Sequence, residues 1–183
     1  QLVIQSHADL ENHARSDQAF HSLLGSAVPV QRRPNGKPAV MNGHSPVLSA
    51  SHHGRLTLAT VSPQPVGCDL ESVTSRPVLL WQDLLGLERY RLASFIASQA
   101  GEELHTSAAR IWGASECLKK VGAMVNAPLT FEATKEDGWI LLRAGAFAIA
   151  TFIISLDDKE EQVVVTICSG VEHSTKVEQA IKP

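Results

Sequence analysis

The sequence predicts an α+β protein built from two similar halves, and three observations carry that expectation. Each half runs helix first and strands afterwards, as a two-fold duplication would. Beyond Pro128 the spacing of apolar residues switches from a helical period to a period of two. The length of 183 residues fits one domain, or two small halves packed together, with enough chain to bury a core.

Residues 9–24 carry Leu10, Ala14, Phe20, Leu23 and Leu24 among polar neighbours, a helix that Gly25 should end. Residues 31–38 follow, a Pro- and Gly-containing loop with the cations Arg32, Arg33 and Lys37. After a connector with Gly43 and Pro46, residues 47–54 lead into a strand over 55–61. Pro63 and Pro65 are expected to turn the chain back, so that the next strand forms a hairpin with that one. Ser75 is a candidate cap for one amphipathic helix running to about Gln99, with Leu84, Leu87, Leu92, Phe95 and Ile96 on its apolar face. Gly101 breaks it, and a helix over 102–122 follows, with glutamates in its first turn and lysines in its last. Residues 131–134, 139–142, 146–155 and 162–167 read as a meander, with turns at 136–138 and 157–161. The polar tail from Glu172 is expected to fray. In chain order the division is residues 1–75 and 76–183.

An apolar fraction of 44% and a charged fraction of 19% are those of an ordinary globular chain. The net charge of −3 argues against general nucleic-acid affinity. Cys68, Cys117 and Cys168 show no metal-type spacing, and an odd number of them predicts reduced thiols in a cytosolic, cytoplasmic setting. No membrane span and no signal peptide are read from the sequence.

Two stretches hold the chemistry. In the helix, Trp112, Glu116 and Lys120 stand four residues apart and share a face. In Pro65-Val66-Gly67-Cys68-Asp69-Leu70-Glu71, strand alternation sends both carboxylates to one side and Cys68 and Leu70 to the other. Two oxygen ligands from a strand and a third from a helix suit a hard divalent cation such as magnesium. An ordinary surface ion pair is the competing reading of Glu116 and Lys120, and a solvated loop that of the residue 31–38 cations.

These residues resemble the 4′-phosphopantetheinyl transferases of the surfactin-synthetase-activating type. Four blocks stand in the family's order: Gly36-Lys37-Pro38, Leu48-Ser49-Ala50-Ser51-His52-His53-Gly54, Val66-Gly67-Cys68-Asp69-Leu70-Glu71, and Trp112-Gly113-Ala114-Ser115-Glu116-Cys117-Leu118-Lys119-Lys120. The resemblance implies transfer of the phosphopantetheine arm of coenzyme A to a serine of an acyl or peptidyl carrier protein. It implies two halves, each a small antiparallel sheet on a long helix, with coenzyme A between them. Asp69, Glu71 and Glu116 would hold magnesium; Glu116 would also receive the serine proton, and Lys120 would assist the leaving bisphosphate. Lys37, Ser51 and His52 would bind the 3′-phosphate, with help from Arg32 or Arg33.

Two departures stand out. Family members carry Lys immediately before the helix glutamate, where this chain has Ser115; Lys119, on the same stripe, is expected to reach back and supply the charge. Only 35 residues precede Gly36, and the chain opens on Gln1 rather than Met. That predicts a domain excised from a polyketide or fatty-acid synthase of the iterative enediyne kind, or a half that self-associates as a homo-oligomer. The alternative function is a non-catalytic carrier-protein docking domain, with Ser115 as the sign of lost chemistry.

Overall fold

The computed structural model describes residues 1–7, 9–40, 46–124, 126–156 and 161–171. The first half comprises β1 (Leu2–Ser6), α1 (Asn12–Leu24), β2 (Val30–Arg32), β3 (Pro38–Val40), β4 (Val47–His53) and β5 (Leu56–Ser62). The second comprises β6 (Val66–Ser72), α2 (Val78–Leu85), α3 (Leu87–Ala100), α4 (Leu104–Lys120), β7 (Thr130–Thr134), β8 (Ile140–Ala144), β9 (Phe147–Leu156) and β10 (Glu161–Gly170), so the acidic strand, expected within residues 1–75 of the first half, opens the second because it pairs with β10. The strands form two antiparallel five-stranded sheets, ordered β1-β5-β4-β3-β2 and β6-β10-β9-β8-β7. In both, the first strand pairs with the last and the rest meander outward, so the halves repeat one topology. The protein is α+β, and no helix among the described residues is long and apolar enough to cross a membrane.

The alternation of side chains stacks the elements into four layers. Leu48, Ala59 and Val61 face α1, where Ala19 and Phe20 cover them. The other face of the first sheet, with Leu58, meets Cys68, Leu70, Val163 and Val165 of the second. The far face of the second sheet, with Ile140, Leu142, Ile149 and Cys168, packs on α4 through Ile111, Ala114, Cys117 and Leu118. Each fully buried aliphatic side chain there contributes roughly 1.5–3 kcal/mol.

Several elements differ from the sequence expectation. The acidic strand β6 makes no hairpin with β5; it pairs with β10, Asp69 opposite Thr166 and Glu71 opposite Val164. Its apolar side matches the second sheet's inner face, and Pro63 and Pro65 turn the chain across rather than back. The single helix expected after Ser75 is two, α2 and α3, because Gly86 sits at φ +73. Ser75 does not cap it: Pro77 is the N-cap residue, and Ser75 Oγ meets His105 instead. Strand β1 and the short hairpin of β2 and β3 were not expected, being too short to show a period. Glu102 stands outside α4, drawn to the buried Arg110, which donates to it from both Nε and Nη2 at 3.0 Å. Arg110 Nη1 also donates to the Thr151 carbonyl at 2.9 Å, so the guanidinium is fully engaged. The turn expected at 157–161 falls largely, and the tail from Glu172 wholly, outside the described residues.

Strand β6 reaches α4 closely because residue 67 lacks a side chain. A methyl group there would sit 2.6 Å from the Cys117 carbonyl oxygen, a backbone atom that cannot turn away. Gly67→Ala is therefore expected to destabilise the fold by about 1–3 kcal/mol, read as a lower urea midpoint; an unchanged midpoint would mean that the two elements separate freely.

Candidate functional site

Strand β6 is the edge of its sheet, so one row of its backbone groups has no strand to pair with. Alternation along β4 turns Ser49 and Ser51 towards that edge. The Cys68 amide donates to Ser49 Oγ at 3.1 Å and the Leu70 amide to Ser51 Oγ at 3.2 Å. Ser51 Oγ in turn donates to Asp69 Oδ1 at 2.9 Å. From the last turn of α4, Lys120 Nζ donates to the Cys68 carbonyl at 2.7 Å and to Asp69 Oδ1 at 2.8 Å. Burial acts to lower the Lys120 pKa, but the Asp69 carboxylate outweighs it and holds the ammonium above the ordinary lysine value.

The register also sends Asp69 and Glu71 to the α4 side of the sheet and Cys68 and Leu70 to the other, as strand alternation predicts. Helix α4 offers them Gly113, where a methyl group would lie 2.6 Å from Thr166 Oγ1 and 3.8 Å from Asp69 Oδ2. Thr166 Oγ1 is buried there without a hydrogen-bond partner among the described residues. One turn on, Glu116 Oε1 pairs with Lys119 Nζ, which also lies 5.3 Å from the Trp112 ring centroid. Lys119 thus contacts both Glu116 and Trp112. Ser115 is buried, its hydroxyl donating to the Ile111 carbonyl at 2.7 Å.

Glu71 completes the acidic group. Burial raises its carboxyl pKa and the Asp69 charge adds to the rise, against the pull of Arg76 and His53. Arg76 Nη2 stands 3.9 Å from Glu71 Oε1. Each of the three carboxylates expected to bind metal thus has its own cation: Lys120 for Asp69, Arg76 for Glu71 and Lys119 for Glu116. Among the described residues no three His, Cys, Asp or Glu side chains converge as a metal-holding group.

Between the halves lies a cleft of about 560 Å³, lined by Arg33 and Lys37 from the first and by Lys120 and Val121 from the second. Lys37 Nζ donates to the Lys120 carbonyl at 3.0 Å, a cation placed at the negative end of α4. Lys120 belongs to both places, lining the cleft and binding Asp69.

Ser51 and His52 are not brought together, because neighbours in a strand point to opposite faces. His52 faces α1. Ser16 Oγ gives its proton to the Asn12 carbonyl and meets His52 Nε2 at 2.9 Å, so Nε2 is the donor there. Thr57 Oγ1 accepts from Arg15 and meets His52 Nδ1 at 3.1 Å. The imidazole is thus satisfied as a neutral ring, and burial, with Arg15, Lys120, His13 and Arg32 around it, pushes its pKa down to about 4. Arg32 pairs with Asp17 of α1. Sequence reasoning missed Ser49, Arg76 and Thr166. The Ser49-x-Ser51 spacing could have flagged the first, whereas Arg76 and Thr166 depend on tertiary placement. No family model matches this chain, and no curated protein does.

The depressed His52 pKa gives a pH prediction. Between about 6.5 and about 4 the unfolded imidazole binds a proton that the folded one refuses. Its contribution to stability is complete above that window and is lost as pH falls through it. Urea midpoints at pH 7 and pH 4.5 should differ less in His52→Gln than in the wild type; equal differences would mean that His52 is not held neutral.

Proposed function

We propose that the protein is a magnesium-dependent transferase that moves the 4′-phosphopantetheine arm of coenzyme A to a serine of an acyl or peptidyl carrier protein. The observation that carries this reading is Lys120, whose ammonium binds Asp69 and lines the inter-half cleft that Arg33 and Lys37 make basic. An anionic ligand in the cleft meets Arg33, Lys37 and Lys120, and Lys120 connects it to Asp69.

The donor set suits magnesium in kind, since all three groups are carboxylates and Glu71 is raised partly by the charges of Asp69 and Glu116. Asp69, Glu71 and Glu116 would hold the ion once their lysine and arginine partners give way, and bound there it would neutralise charge on the diphosphate. The serine oxygen bonds to the pantetheine phosphorus as the bond from that phosphorus to the bridging oxygen breaks. Adenosine 3′,5′-bisphosphate leaves with the bridging oxygen. Glu116 takes the serine proton. Lys120, kept charged beside Asp69, stabilises the leaving phosphate as a cation rather than as a proton donor. Arg33 and Lys37 hold the 3′-phosphate, while Ser51 orients Asp69 and His52 ties β4 to α1.

One observation favours the second reading, a carrier-docking domain without efficient chemistry: all three carboxylates are already paired with cations. Intact-mass spectrometry of an apo carrier protein incubated with this chain, coenzyme A and magnesium separates the two. The transferase gives a carrier heavier by one phosphopantetheine group, an increment lost with EDTA and at least ~100-fold slower to appear with Glu116→Ala. Carriers that stay unmodified while binding the chain favour docking.

A further inference from the structure

Arg76 stands directly before Pro77 at the start of α2, and its guanidinium carbon lies 5.1 Å from the centroid of the Trp81 ring. That ring is fixed. Trp81 is buried and donates its indole N–H to His105 Nδ1 at 3.1 Å, which leaves the imidazole proton on Nε2, 3.1 Å from Ser75 Oγ. Arg76 is thus held between two anchored neighbours, and its side chain is one-third exposed, at 32%.

A guanidinium carries five N–H donors. Among the described residues this one has a single polar contact, the 3.9 Å approach to Glu71, which is too long for a hydrogen bond. Its Nε is buried without a partner. The other two cations of the acidic group are better engaged: Lys120 makes two bonds shorter than 3 Å, and Lys119 has both Glu116 and Trp112. Position 115, where the resemblance expects a lysine, is a buried serine bonded to its own helix. A partly exposed fork with unused donors beside Glu71 is a place for an anion that arrives with the metal.

We propose that Arg76 grips a phosphate oxygen of the coenzyme A diphosphate and supplies the positive charge that position 115 lacks. This rests on the transferase reading. Isothermal titration in magnesium, with coenzyme A and with adenosine 3′-monophosphate as probes, tests it. Arg76→Gln is expected to bind coenzyme A ~10-fold or more weakly, with its affinity for the monophosphate and its melting temperature unchanged. Arg76→Lys should recover part of the loss. Wild-type affinity for coenzyme A in Arg76→Gln overturns the assignment, as does equal weakening for both probes, which would mark Arg76 as a packing residue. Should Arg76→Gln fold poorly, Arg76→Lys decides: affinity for coenzyme A reduced, with the monophosphate unaffected, supports the grip, and no change in either overturns it. If the wild type binds neither probe, the transferase reading itself fails.

Discussion

An edge strand in the middle of a molecule must satisfy its outward backbone groups with something other than another strand. Strand β6 meets that constraint with side chains: Ser49 and Ser51 accept from its amides, and Lys120 donates to its Cys68 carbonyl. The arrangement joins the halves, because the serines belong to the first and the lysine to the second. It also leaves Asp69 at the meeting point, bonded to Ser51 and Lys120 at once. Gly67 and Gly113 let α4 come close enough for Lys120 to reach, and the cleft opens where the same lysine emerges. The junction that closes the fold is therefore also the wall of the candidate site.

Charge pairing surrounds that junction. Three carboxylates face three cations, each pair drawn from different positions on β6, α2 and α4. Such a group is neutral without ligand, and a divalent ion together with a diphosphate dianion preserves that neutrality, whereas either alone upsets it. The pairs differ in strength. Lys120 and Asp69 are the best buried and hydrogen-bonded, while Arg76 and Glu71 barely touch, so the site is firm at the half junction and loosest beside α2.

How far the sequence carried depended on whether a feature was local. The meander from β7 to β10, the helical span of α4 and the placement of Asp69 and Glu71 on one face all follow from period and alternation, and the structure agrees. The pairing of β6 with β10 does not, since it is decided by which sheet offers Cys68 and Leu70 an apolar face. The break at Gly86 was visible as a residue but was masked by the apolar period running through it. His52 and Ser51 looked like one anion site as neighbours in a motif, yet the same alternation that grouped the acids separates them. Lys119 shared a stripe with Ser115, and in the structure its ammonium meets Glu116 and the Trp112 ring. Arg76 had no signal of its own, because its neighbourhood is made by the docking of Trp81 on His105.

The account turns on the β6 edge being sealed by side chains, and native-state hydrogen exchange reads that edge amide by amide. The Cys68 and Leu70 amides should exchange as slowly as the paired amides of β10, and Ser51→Ala should speed Leu70 selectively while leaving the amides within β10 protected. Fast exchange at both positions in the wild type, as on an open edge strand, would contradict it.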